Sequence, residues 1–226
     1  MTAIAACLQA IQANIQQARL TAGRNDEISL VAVSKAQSAD KLRAAYLAGQ
    51  RAFGENYVQE AISKQALLAD CAIDWHFIGP IQSNKTALIA QHFAWVHSVD
   101  RLKIAERLSS SRPPTLAPLN VCIQINSSAE DSKSGVNMGE LAALASAINA
   151  LPGLKLRGLM AIPALSKDFA QQRAQFKIVS DAFKALQQQG FDLDTLSIGM
   201  SGDYVAAIHE GATIVRIGSA IFGMRV

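Results

Sequence analysis

Four short stretches carry residues whose types and spacing could do chemistry, and each falls where an apolar run gives way to a turn. The first is "VAVSKAQS" (31–38). Strand alternation puts Val31, Val33 and Lys35 on one face and Leu30, Ala32 and Ser34 on the other. An amine that continues an apolar face loses solvation, which lowers its pKa and frees the neutral nucleophile needed for a Schiff base. A lysine snorkelling to the rim of an apolar surface explains the same letters. The second and third stretches are "SIGMSGDYVAA" (197–207) and "VRIGSAIFG" (215–223). Their small residues Gly199, Ser201, Gly202, Gly218 and Ser219 let backbone N–H groups approach an anion, and the first turn opens a short helix at 203–210. Arg216 shares a face with Gly218. As a buried guanidinium it needs a partner: a carboxylate such as Asp203 or Glu55, or the ligand that the two turns hold. The fourth stretch is "FGENYVQE" (53–60), in which Asn56 is either a hydrogen-bonding wall for a flat ring or the cap of a helix over 57–69.

A fifth stretch, "WHFIGPIQSNKTALIA" (75–90), imitates the phosphate-binding pattern G-x-x-x-x-G-K-[ST]. The second glycine of that pattern lets the backbone wrap phosphates, and here Asn84 stands there. Pro80 removes a further donor. The stretch is a decoy, with Ser83 expected to cap the following helix and Lys85 to sit on a rim. His76, His92 and His97 lack metal-site spacing and are expected in ordinary packing or surface roles.

The elements that must position these residues follow from periodicity. Residues 2–22 carry Ile4, Leu8, Ile11, Ile15 and Ala18 at three-to-four spacing, an amphipathic helix closed by Gly23. Eight apolar runs follow, at 29–34, 51–55, 75–79, 95–99, 119–126, 154–161, 195–200 and 213–218. Helical segments alternate with them: 39–48 capped by Ser38, 101–109 capped by Asp100, one opened by Asn137 and Glu140, and 168–189 ending at Gly190. Strict alternation implies parallel strands joined by crossovers, and eight strands in this length fit a single (β/α)8 TIM barrel over residues 1–226. The chain stops eight residues after the last run, so no eighth helix is expected there. The N-terminal helix is expected to complete the outer layer. A doubly wound open sheet is the alternative. In a barrel the chemistry gathers at the C-terminal strand ends, and the loops after strands seven and eight are its recurring phosphate site.

Composition narrows the function classes. The chain has 226 residues, of which 50% are apolar, enough for a sizeable core. A net charge of +3, spread without a basic run, gives no support to a nucleic-acid or membrane-surface partner. Cys7, Cys71 and Cys122 are scattered, which argues for a reducing compartment and against a disulfide frame or zinc site. No signal peptide or membrane span is legible, so a cytoplasmic location is expected.

The blocks "VSKAQ", "FGENYVQE", "WHFIGPIQSNK", "NSSAEDSKSG", "LRGLMAIP", "LSIGMSGD" and "VRIGSAIFG" stand in the order seen in the pyridoxal phosphate homeostasis proteins. That family resembles the N-terminal barrel of alanine racemase, and the resemblance spans residues 30–223. It implies a barrel holding pyridoxal 5′-phosphate as an aldimine on Lys35. Asn56 would lie beside the ring, Ser201, Gly218 and Ser219 on the phosphate, and Arg216 near the pyridine nitrogen. It also implies a cofactor binder and carrier, working as a monomer with transient cofactor-accepting apoenzymes as partners, rather than an enzyme. This chain departs from the family in two places. Gln37 replaces a second lysine, and Gly202 stands where a polar residue is commoner. Lys133 matches the family's loop lysine and is a candidate second cofactor contact.

The alternative is a racemase-like enzyme. Racemisation needs an acid/base group on each side of the substrate. Lys35 could be one. Alanine racemase takes the other, a tyrosine, from an additional domain, and Tyr46, Tyr57 and Tyr204 have no evident claim to that position.

Overall fold

The computed structural model describes residues 2–127 and 135–223. Helix α1 (Ala3–Thr21) starts where the Thr2 hydroxyl accepts the Ala5 N–H at 3.2 Å. It buries Leu8, Ile11, Ile15 and Ala18, the three-to-four stripe legible in the sequence. Strands and helices then alternate: β1 (Ser29–Val33), α2 (Ala39–Leu47), β2 (Ala52–Glu55), α3 (Val58–Leu67), β3 (Asp74–Phe77), α4 (Thr86–His92), β4 (Trp95–Val99) and α5 (Leu102–Ser111). The second half continues with β5 (Leu119–Gln124), α6 (Leu141–Asn149), β6 (Leu154–Met160), α7 (Phe169–Gln188), β7 (Thr195–Ser197), α8 (Tyr204–His209), β8 (Ile214–Ile217) and α9 (Ser219–Phe222).

The eight strands close in sequence order into a parallel barrel, β1 pairing with both β2 and β8. The barrel is a (β/α)8 fold, and the open-sheet alternative falls away. Register sets Val31 beside Arg216 and Val33 beside Gly54, so these residues share the inner face. Ala32, Phe53, Phe77, Val96, Val121, Leu159, Leu196 and Val215 belong to the apolar layer between strands and helices. Helix α1 packs against α2, α8 and α9, which places it in the outer layer as expected.

Several boundaries differ from the sequence reading. A one-turn helix, α9, does follow β8, because Phe222 and Gly223 N–H groups return to the Gly218 and Ser219 carbonyls. The residue at the cap of α5 is Arg101 rather than Asp100, whose carboxylate bonds Arg101 instead. Asn137 and Ser83 make no side-chain cap. A 3₁₀ turn precedes the α-helix in both places (138–140 and 83–85), so the carbonyls and amides pair within the tighter turn. Asp168, read from the sequence as the first residue of the helix, instead caps α7, accepting the Gln171 N–H at 2.7 Å.

Candidate functional site

At the C-terminal ends of the strands lies a cleft of about 320 Å³, and Lys35, Asn56, Ser201, Arg216, Gly218 and Ser219 all line it. Lys35 projects from the loop after β1, one step beyond the inward Val33, so its face was legible from alternation alone. The two glycine turns form one cradle, since the Ser219 hydroxyl donates to Ser201 Oγ at 3.2 Å. One glycine in each turn, Gly199 and Gly218, is sterically required. A Cβ on Gly218 would stand 2.9 Å from the Val33 carbonyl oxygen. Gly199 has φ +93, and a Cβ there would meet that of Ala207 at 2.7 Å. Asp203 tightens the first turn by accepting the Met200 N–H at 2.6 Å. Burial pushes its carboxyl above the usual range.

Arg216 is 4% exposed and takes neither of the expected carboxylate partners. Its Nη1 donates to the Ser197 carbonyl at 2.5 Å and to Ser197 Oγ at 2.8 Å, and Nη2 donates to the Ala161 carbonyl at 3.1 Å. Burial lowers its pKa to about 10, which leaves it cationic at neutral pH. Glu55 is engaged elsewhere, by Lys64 at 2.7 Å and the Ser34 hydroxyl at 2.6 Å.

From Ser197 a hydrogen-bonded chain crosses the lumen. Ser197 Oγ lies 2.7 Å from His97 Nδ1, and His97 Nε2 lies 2.9 Å from His76 Nδ1. An arginine can only donate, so the Ser197 hydroxyl proton goes to His97 Nδ1. His97 then donates from Nε2 to His76, whose ring stacks on Trp95 at 5.4 Å. Both histidines are fully enclosed, and desolvation drives their pKa values down, to about 3 for His76 and well below the ordinary value for His97. The lumen below Lys35 therefore contains a buried polar chain and is not the uniformly apolar interior that β1 suggested. Alternation gives each histidine its face, but the bond between β4 and β7 exists only because the barrel closes.

Asn56 is not a cap: α3 is preceded by Tyr57 with no side-chain bond. Asn56 lines the cleft, and its Oδ1 is buried with no partner among the described residues. Gln37 is buried and takes Lys41 Nζ at 2.7 Å, turning toward α2. Lys133 lies outside the described residues. A second cleft, of about 360 Å³, lies at the opposite end beside α1. Its Gln50, Arg51 and Arg19 already bond backbone carbonyls, so they bind the structure together there. Among the described residues no cluster could hold a metal ion, and no helix is long and apolar enough to cross a membrane.

A closed parallel barrel with an inward lysine opposite two joined serine–glycine turns defines the class: a (β/α)8 barrel with its site at the C-terminal mouth. The chain belongs to the family described as "Alanine racemase, N-terminal domain", which matches residues 6–226, and within it to the pyridoxal phosphate homeostasis proteins. It is 55% identical to the "Pyridoxal phosphate homeostasis protein" of Pseudomonas aeruginosa, over 100% of this chain and 97% of that one. The protein of the same name from Escherichia coli K12 is 49% identical, over 100% and 98%. PipY of Synechococcus elongatus PCC7942, solved with PLP bound, superimposes with a TM-score of 0.87 at 37% identity, covering 97% of this chain and 100% of PipY.

Proposed function

We propose that this chain binds pyridoxal 5′-phosphate in the mouth cleft, holds it covalently through Lys35, and serves vitamin B6 homeostasis in the cytoplasm as a single-domain monomer. The observation that carries this reading is the convergence of an inward lysine, a buried arginine and the joined Ser201–Ser219 cradle on one cleft. The residues fit the cofactor. The cradle suits a phosphate dianion, with Gly218 leaving room for close backbone approach. The orphaned Asn56 Oδ1 offers an acceptor for a ring hydroxyl. Arg216, cationic and braced by Ser197, disfavours a second positive charge on a ring nitrogen beside it. The cofactor supplies an aldehyde and an electron-withdrawing ring; the Lys35 amine condenses with that aldehyde and water leaves. Relatives named as pyridoxal phosphate homeostasis proteins support a binder over a turnover enzyme; on this reading cofactor-accepting apoenzymes are its transient partners.

The test is chemical. Purified chain incubated with pyridoxal 5′-phosphate should be yellow, and borohydride should fix a pyridoxyl group on the peptide containing Lys35. Lys35→Ala should abolish that label. A label confined to Lys85 overturns the assignment.

A further inference from the structure

The two peptide planes on either side of Lys35 are each held by a charged side chain of α3. Lys64 Nζ donates at 2.7 Å to the Ser34 carbonyl, which belongs to the peptide preceding Lys35. Glu60 Oε1 accepts at 2.6 Å from the Ala36 N–H, which belongs to the peptide following it. The same ammonium joins Glu60 at 2.6 Å and Glu55 at 2.7 Å, and the Ser34 hydroxyl donates to Glu55 Oε1 at 2.6 Å. The Ser34 carbonyl also closes the turn by accepting the Gln37 N–H at 3.0 Å.

This cluster is an unusual investment outside the barrel wall. Glu55 is fully buried, Lys64 is 5% exposed, and Glu55 Oε2 has no partner among the described residues. Burial pushes the Glu55 carboxyl up, against the pull of the Lys64 and Ser34 bonds. A buried ion pair is a poor source of net stability, because desolvation offsets most of the attraction; what it supplies is direction. Direction is what this loop lacks by itself. Ala36 sits at φ +58, a left-handed conformation that a residue with a Cβ disfavours, so an unheld loop would relax out of it.

We infer that Lys64 and Glu60, with Glu55 behind them, are positioning residues for Lys35. Fixing both flanking peptide planes fixes the Lys35 backbone dihedrals, and with them the direction in which its Cα–Cβ bond leaves the loop. The side chain is thereby aimed over the lumen instead of along the outer rim. Neither Lys64 nor Glu60 lines the cleft, so the clamp acts through the backbone alone. The inference rests on the reading that Lys35 carries the cofactor.

Two probes separate aim from binding: pyridoxal 5′-phosphate, which condenses with an amine, and pyridoxine 5′-phosphate, the alcohol that cannot. The full chain is compared with Glu60→Ala, Glu60→Gln and Lys64→Met. Glu60→Ala and Lys64→Met should slow borohydride-trapped labelling of Lys35 by about 10- to 100-fold, the scale expected for a misaimed nucleophile, with pyridoxine 5′-phosphate affinity held within about twofold. Glu60→Gln keeps an oxygen for the Ala36 N–H and should recover most of the rate. Equal labelling in parent and folded variants overturns the clamp, and so does an equal loss for both probes. If Lys64→Met does not fold, the Glu60 variants decide, since that side chain is 28% exposed and its loss is tolerable to the core. A parent not labelled on Lys35 removes the proposed function and this inference with it. A labelled parent with unchanged variants removes the clamp alone.

Discussion

The same eight strands present two surfaces built on different physics. Outward, Ala32, Phe53, Phe77, Val96, Leu159 and Val215 meet the helices in a continuous apolar layer. Inward, His76, His97, Ser197 and Arg216 form a directed chain from β3 to β8. Apolar contact is nearly indifferent to orientation, so the outer layer is specified by volume and pattern. In the inner chain each donor dictates the next acceptor, starting from an arginine that can only donate. Most barrels of this type fill the lumen with branched apolar side chains. Here the lumen instead braces the one cation that faces the cleft from β8, which ties the floor of the candidate site to the body of the protein.

That contrast can be broken or sharpened by substitution. Phe53→Ala in the outer layer should cost the most stability, about 3–5 kcal/mol from lost burial and the cavity left behind, read from urea unfolding. The folded fraction should still be labelled on Lys35. Ser197→Ala should cost less, about 1–3 kcal/mol, because it strands His97 Nδ1 and removes one acceptor from Arg216. It should, however, weaken pyridoxal 5′-phosphate binding where Phe53→Ala does not. A Ser197→Ala protein with parental affinity would mean that the inner chain is packing only.

A third effect is in pH, and it is graded where the substitutions are not. Both histidines are held below their ordinary value of 6.5, so the unfolded chain takes up protons first as pH falls. Their contribution to stability is complete above that value and declines below it, the share of His76 running out only near 3. Each histidine can add a slope of up to about 1.4 kcal/mol per pH unit within the window. Glu55 and Asp203, raised by burial, act in the opposite sense at the acid end. The measurement is therefore the difference between parent and His97→Asn, by urea midpoint from pH 7 to pH 5. The parent should lose stability more steeply; parallel curves would show that the ring does not titrate on unfolding.

Much of this arrangement is legible in the order of the residues. The spacing of Leu8, Ile11, Ile15 and Ala18 gives α1 its buried stripe, and the eight apolar runs all become strands. The helix starts near Asp100, Asn137 and Ser83 depart from the capping pattern because a 3₁₀ turn or a neighbouring arginine competes with side-chain capping there. All six expected site residues line one cleft, yet two of their alternatives had to be removed by geometry. Asn56 leaves the cap position to Tyr57, and Arg216 turns to backbone oxygens and a serine instead of a carboxylate. Lys64, Glu60, His76 and His97 carry no local signal of their roles, since a lysine and a glutamate four apart on a helix ordinarily mark a solvated face.

By itself the sequence determined which way each strand residue faces, hence that Lys35 and Arg216 look inward, and where small-residue turns interrupt the chain, as at 199–202 and 218–219. These are properties of backbone geometry over a few residues, and they survive without knowledge of neighbours. Tertiary structure alone decided what those residues meet. The Ser201–Ser219 contact joins two turns 18 residues apart, Lys64 reaches Ser34 across 30, and His97 meets Ser197 across 100. Such pairs depend on barrel closure and strand register, which bring distant positions within hydrogen-bond reach and which no local periodicity encodes.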